Sequence, residues 1–245
     1  MEEGSPSRRT TARFGGRTVG VVLGLLALVL VAMVLVVLLV ARPTGRPPVV
    51  PAPATITCAS PPPAPTTYAT RDAAPDRAVA RRAMWDVRVR TTCGDLSLVL
   101  DGRAAPRSVA SFVTLAQGGY WSDSVCHRLT SRRAPTSFLQ CGDPSGHGTA
   151  DPGYDLPLEN VPSDRTYRVG DVGLARDEFG TAGEFFVVHR DFTVPAGAQT
   201  YSLIGHVVSG QDVVQAVAAR GGEDTRPDGP PFQSISILSV SVGPR

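Results

Sequence analysis

From Thr18 to Ala41 the chain carries no charge, and Val19 to Val40 is almost wholly Val, Leu, Ala and Gly. About 20 apolar residues in a helix cross the hydrocarbon of a bilayer. The stretch therefore predicts one transmembrane helix over residues 19–41. It is longer than the roughly 7–15-residue apolar core of a signal peptide, and Leu39-Val40-Ala41 is a poor cleavage site, so a retained anchor is expected. Residues 42–83 then hold ten prolines, Pro47-Pro48 and Pro61-Pro62-Pro63 among them, mixed with Ala and Thr. Such a segment has no core to bury and predicts an extended, disordered stalk. A proline-rich ligand for an SH3-like partner is its alternative reading.

From Met84 onward the pattern becomes that of a folded domain. Val87 and Val89 alternate with Arg88 and Arg90, and Leu96, Leu98 and Leu100 alternate again beyond Gly94-Asp95, so the two runs predict a β-hairpin. Pro106 opens a helical pattern in which Val109, Phe112, Val113 and Ala116 share one face, and Gly118-Gly119 stops it. Gln211 to Arg220 predicts a second short helix, stopped by Gly221-Gly222. Short apolar runs at 137–141, 173–175, 184–189 and 202–208 read as strands between Gly, Pro and Asp turns. The last strand, 234–242, slips in its alternation at Ile237-Leu238, which predicts a bulge. Many short strands with two helices predict a mainly β barrel or sandwich capped by helices.

Composition narrows the chemistry. The 245 residues are 42% hydrophobic, enough to bury a core. All 24 basic residues are arginine, which excludes every mechanism that needs a catalytic lysine. Positive charge gathers in residues 1–18 and 41–83, while 84–245 is mildly acidic, and no basic, aromatic-interleaved stripe points to nucleic acid. Arg8, Arg9, Arg13 and Arg17 precede the apolar run and predict an N-terminus on the cytoplasmic side. Four cysteines are too few for a disulfide-built miniprotein, and no C-x-x-C or H-x-x-x-H spacing predicts a metal site. No nucleophile-elbow motif supports a serine hydrolase.

The motifs Cys126-His127-Arg128-Leu129, Phe138-Leu139-Gln140-Cys141-Gly142-Asp143, Gly173-Leu174-Ala175-Arg176, Gly183-Glu184-Phe185-Phe186-Val187 and Tyr201-Ser202-Leu203-Ile204-Gly205-His206-Val207 follow one another in order. In order and spacing they resemble the cyclophilin-type peptidyl-prolyl cis-trans isomerases, over about 85–242. The resemblance implies an eight-stranded antiparallel cyclophilin-like barrel capped by two helices, here preceded by one transmembrane helix and a disordered stalk. It implies no cofactor. The anchor and stalk resemble membrane-tethered cyclophilins of actinobacteria. The expected organisation is a cytoplasmic basic tail over 1–18, an anchor over 19–41, a linker over 42–83 and the domain over 84–245. That organisation places the domain outside the cytoplasm, among proline-containing polypeptides.

The expected chemistry breaks no bond. An X-Pro amide resists rotation with a barrier of about 20 kcal/mol. Twisting it leaves a lone pair on the prolyl nitrogen, and a fixed guanidinium beside that nitrogen stabilises the twisted state over the planar one. By resemblance Arg128 is that catalytic guanidinium and Gln140 the side chain that orients it. Phe186 is the floor of the proline pocket, Leu174 and Ala175 lie on the matching strand, where backbone contacts matter more than side chains, and Phe138, Arg176, Glu184, Ile204 and Tyr201 complete the substrate-binding set, with the Tyr201 hydroxyl near the swinging carbonyl.

Several residues depart from the family pattern. Glu184 stands where glutamine is usual, and Arg176 where asparagine is usual. The acid would pair either with Arg128, competing with substrate, or with Arg176. Ser137 falls by strict offset where a pocket phenylalanine is expected, unless Phe138 takes that place, and the usual rim tryptophan is replaced around Val194. These departures imply weakened cyclosporin binding and reduced activity. The rival reading is therefore a proline-peptide binding module of the cell envelope. Neighbouring strands in the family carry the positions of Cys126 and Cys141, which implies a disulfide between them and leaves Cys58 and Cys93 to staple the linker to the first hairpin.

Overall fold

The computed structural model describes residues 16–40, 56–80, 84–130, 134–175, 183–222 and 227–245, except that the side chains of 16–20, 22–24 and 38–40 are not described. The chain divides into two units, Met1–Pro51 and Ala52–Arg245. The first contains helix α1, Gly16–Val40. Its side chains from Leu25 to Val37 are exposed. Among the described residues no helix is both long and apolar enough to cross a membrane. The anchor expected over 19–41 is therefore not supported by the described residues.

In the second unit the first hairpin forms as the alternation predicts. Strand β1 (Met84–Thr91) points Trp85, Val87 and Val89 inward and pairs antiparallel with β2 (Gly94–Asp101). Helix α2 (Pro106–Gln117) starts with proline at its first turn, where a missing N–H costs nothing. Its free N–H groups at Arg107 and Ser108 donate to Glu159 Oε2, each at 2.9 Å, so a carboxylate from a distant loop caps the helix. Helix α3 is Gln211–Arg220, as the sequence predicts.

The further strands are β3 (Ser124–Val125), β4 (Arg128–Thr130), β5 (Phe138–Cys141), β6 (Thr166–Tyr167), β7 (Asp171–Leu174), β8 (Phe185–Val188), β9 (Phe192–Thr193), β10 (Ser202–Ser209), β11 (Asp228–Gly229) and β12 (Ser236–Pro244). Ten of them form one antiparallel sheet in the order β11-β4-β5-β8-β7-β10-β2-β1-β12-β3, and β6 and β9 form a separate ribbon. The expected count of eight is therefore corrected to ten. The segment 124–130 is split at Cys126-His127 into β3, which pairs with β12, and β4, which pairs with β5. The short β11 adds an edge beyond β4. Because β3 and β4 are adjacent in sequence yet sit near opposite ends of the sheet, the link between them curls the sheet on itself. The bulge expected near Ile237 is present: Arg90 faces Ser239 while Thr91 faces Ile237, so Leu238 is the extra residue.

Inside the curl lies the main core, which includes Val87, Leu98, Leu100, Phe112, Leu129, Leu139, Phe185 and Ile204. On the other face of β5 and β8 a second cluster gathers Phe138, Tyr167, Ala175, Phe186, Val188, Phe192 and Val194.

The disordered-stalk expectation is corrected over 56–80; the rest of 42–83 lies outside the described residues. Ile56 and Cys58 pack against the main core, and Ala80 is fully buried in it. Cys58 is bonded to Cys93, and Ala59 N–H donates to the Thr92 carbonyl at 2.8 Å. Arg71 N–H donates to the Pro152 carbonyl at 2.8 Å, and the Tyr68 and Tyr120 rings meet edge to face at 5.7 Å. A proline-rich segment costs little entropy to hold extended, so a few apolar contacts and one covalent bond make it a strap across the domain.

Candidate functional site

Strand register assembles the site. Arg128 faces Gln140 across β4–β5, Gln140 faces Phe186 across β5–β8, and Phe186 faces Gly173 across β7–β8. Directly opposed residues on one face of a sheet are contact neighbours. The row therefore sets a cation, an amide and an aromatic ring side by side, on the face away from the main core. Residues two positions along share that face, so Phe138 joins Gln140 and Val188 joins Phe186.

Phe138, fully buried, takes the place in the aromatic cluster, stacked on the fully buried Phe186 with centroids 4.6 Å apart, while Ser137 turns aside and accepts from Arg190 Nη2 at 2.8 Å. Tyr201 packs edge-on against Phe186 at 5.2 Å and Phe138 at 5.9 Å. Its backbone is held by the Tyr167 hydroxyl, which donates to the Tyr201 carbonyl at 2.7 Å and accepts from its N–H at 2.8 Å. Burial pushes the Tyr201 phenol up, against the pull of Arg128, so it remains a neutral O–H donor at neutral pH.

Arg128 lies over this floor, its guanidinium carbon 5.4 Å from the Phe138 centroid. Nη1 donates to Gln140 Oε1 at 3.0 Å, and Nε and Nη2 donate to Asp228 Oδ1 and Oδ2 at 2.7 Å each. The hydrogen bonds to Asp228, outweighing burial, raise its pKa above the ordinary arginine value, and it stays charged. Gln140 Nε2 in turn donates to Glu184 Oε2. Glu184 Oε2 also lies 3.6 Å from His127 Nε2. Among the described residues Glu184 makes no direct hydrogen bond to Arg128, which gives its hydrogen bonds to Gln140 and Asp228, although the Glu184 charge still favours the cation. Arg176 lies outside the described residues.

Ile204 is fully buried in the main core, and Leu174, opposite Phe185, belongs to the same core; neither side chain lines the aromatic face. Ala175 does reach the aromatic cluster. Leu203, half-buried and opposite Gly173, takes the face expected for Ile204. Asp228 was missed altogether. Val194, near which the resemblance would put a rim tryptophan, is buried in the aromatic cluster.

Behind the row, Cys126 is bonded to Cys141, which joins the segments carrying Arg128 and Gln140. Ligand atoms of His127, Asp143 and Glu184 lie within 4.8 Å of one another. Both Asp143 oxygens are already engaged: Oδ1 accepts from Ser145 N–H at 2.9 Å and Ala150 N–H at 3.1 Å, and Oδ2 from Ser145 Oγ at 2.6 Å, His147 N–H at 2.7 Å and Gly148 N–H. Burial alone would raise this carboxyl, but these bonds, that of Ser145 first, hold it below the usual range. Such a donor set organises the 143–150 loop and leaves little lone-pair capacity for a metal. Burial lowers the His127 pKa, and its Nδ1 is buried without a hydrogen-bond partner among the described residues.

A curled antiparallel sheet with a charged-amide-aromatic row on its outer face defines a cyclophilin-like fold. The family model for cyclophilin-type peptidyl-prolyl cis-trans isomerases matches residues 86–242, and the chain belongs to that family. A probable peptidyl-prolyl cis-trans isomerase B of Mycobacterium tuberculosis is 33% identical over 172 residues, covering 64% of this chain and 54% of that protein. Peptidyl-prolyl cis-trans isomerase B of Bacillus subtilis is 34% identical over 108 residues, 44% of this chain and 71% of that protein. The chain spans about half the length of the mycobacterial relatives it matches. Among solved structures, a cyclophilin-type isomerase of Cryptosporidium parvum is similar with a TM-score of 0.54 at 19% identity, over 66% of this chain and 99% of that one, which shows likeness of fold.

Proposed function

We propose that the protein is a peptidyl-prolyl cis-trans isomerase that acts on X-Pro bonds of extracytoplasmic polypeptides. The observation that carries the reading is the placement of Arg128 over Phe138, beside the Phe138–Phe186 stack and oriented by Gln140. Phe138 and Phe186 are fully buried, so a pyrrolidine ring would meet this row at the half-buried Tyr201 and Arg128, above the stack, with its nitrogen beside a fixed cation. Twisting the amide localises a lone pair there, and the guanidinium stabilises it more than it stabilises the planar state. Tyr201, neutral and at the edge of the floor, is the donor for the carbonyl that swings. A solved Cryptosporidium parvum cyclophilin-type isomerase was crystallised in the presence of the dipeptide Ala-Pro, which supports proline peptides as the ligand class.

Two disulfides, which persist in oxidising surroundings, support an extracytoplasmic compartment. Residues 19–41, apolar and preceded by four arginines, are the single membrane anchor, with the N-terminus cytoplasmic and the domain outside. The replacement of the rim tryptophan around Val194 makes cyclosporin a weak ligand. The test is proline-limited refolding of a substrate protein in the presence of the full chain. Acceleration supports the isomerase; saturable binding of proline peptides without acceleration would leave a binding module instead.

A further inference from the structure

Arg128 has a partner that no motif of the chain announces. Asp228 belongs to β11, two residues that pair antiparallel with Leu129 and Thr130 of the strand that carries Arg128. The backbone therefore fixes the carboxylate beside the guanidinium. Its two oxygens accept from Nε and Nη2, while Gln140 accepts from Nη1. One acceptor would leave the guanidinium free to roll; acceptors on all three nitrogens fix both its plane and its direction. Three of the five N–H groups of an arginine are thus committed, and one on each terminal nitrogen remains for substrate.

We propose that Asp228 is a positioning residue, which holds the Arg128 guanidinium over the aromatic floor in the orientation that meets a prolyl nitrogen. The proposal rests on the isomerase reading above. The carboxylate also opposes the cation's charge, so orientation and charge work against each other. Orientation wins for a physical reason. The two side chains are 37% and 43% exposed, so water and salt screen the opposing field at the substrate. An unheld arginine, by contrast, spreads over many rotamers, few of which place an N–H at the reacting nitrogen.

The experiment uses the full chain with Asp228→Ala and Asp228→Asn, each also combined with Arg128→Ala. Isomerisation of a proline tetrapeptide should lose about tenfold in kcat with Asp228→Ala, with little change in KM. Asp228→Asn, which retains one acceptor oxygen, should fall between and keep the β11 pairing even if the alanine variant folds poorly. In the Arg128→Ala background neither change should matter. Independently of activity, the Arg128 Nε–H resonance should exchange slowly with water in the wild type and rapidly in Asp228→Ala. An Asp228→Ala enzyme as fast as or faster than wild type, or an unchanged Nε–H resonance, overturns the proposal. If the wild type itself gives no acceleration, the isomerase reading fails, and the resonance alone decides whether Asp228 holds Arg128.

Discussion

The Phe186 ring lies directly over Gly173, its register partner on β7, so closely that a Cβ at residue 173 would come within 2.3 Å of the ring. The floor of the candidate pocket thus depends on the absence of a side chain on the neighbouring strand. Gly173→Ala must displace Phe186 and with it the Phe138 stack. Overpacking of this kind costs about 1–3 kcal/mol. The expected result is a lower melting temperature together with loss of isomerisation. A variant with wild-type values for both would show that the floor yields without consequence.

Glu184 and Gln140 make the second prediction. The buried Glu184 carboxylate accepts from Gln140 Nε2, and this leaves Oε1 as the atom facing Arg128. Glu184→Ala frees the amide to present either end. The expected loss in kcat/KM is roughly tenfold, about one hydrogen bond's worth. Glu184→Gln retains an acceptor oxygen and should restore part of the activity. Equal rates in the alanine and glutamine variants would contradict the role.

The strap over 56–80 predicts that the folding unit begins well before Met84. The bond between Cys58 and Cys93 closes a separation of 35 residues, for which chain entropy suggests about 4 kcal/mol. Cys58→Ser with Cys93→Ser should lower denaturant stability by that order, and a chain starting at Met84 should lose the Tyr68–Tyr120 and Arg71–Pro152 contacts as well. Chemical denaturation of the wild-type and Cys58→Ser/Cys93→Ser chains, both without reductant so that Cys126–Cys141 stays intact, checks this. Coincident transitions would mean that the strap adds nothing.

Burial holds the His127 pKa below its ordinary value of 6.5. The unfolded chain therefore binds a proton at higher pH than the folded one does. The stability associated with neutral His127 is complete above about pH 6.5 and is lost as pH falls from there through the folded pKa. Asp143, whose pKa is lowered from 3.8, contributes stability that disappears only below that value. A His127→Gln variant should lose the upper of these two slopes and keep the lower. Denaturation midpoints measured from pH 7.5 to 3 decide it; an unchanged upper slope assigns it elsewhere.

Most of the barrel was legible because alternation and turn residues are local signals: β1, β2, α2 and α3 form where the patterns of Val87-Val89, Leu96-Leu98, Pro106 and Gln211 place them. The Arg128–Gln140–Phe186 row was legible as motifs, and the register then made it a contact chain. What stayed hidden was set by long-range geometry. Asp228 lies 100 positions from Arg128, in a two-residue strand with no periodicity of its own. Ile204 carried a motif, but a motif does not say which face a residue takes; alternation from Leu203 does. The strap has no hydrophobic period, because its hold on the domain comes from single contacts and one disulfide.

The central claim is that the Arg128 cation eases rotation about the bond before proline. Exchange spectroscopy on a proline tetrapeptide, with the wild-type chain and with Arg128→Ala, measures that rotation directly. The account predicts catalysed exchange by the wild type and a loss of about 100-fold or more in the variant, with folding intact. An Arg128→Ala chain that exchanges the peptide within twofold of wild type would contradict it.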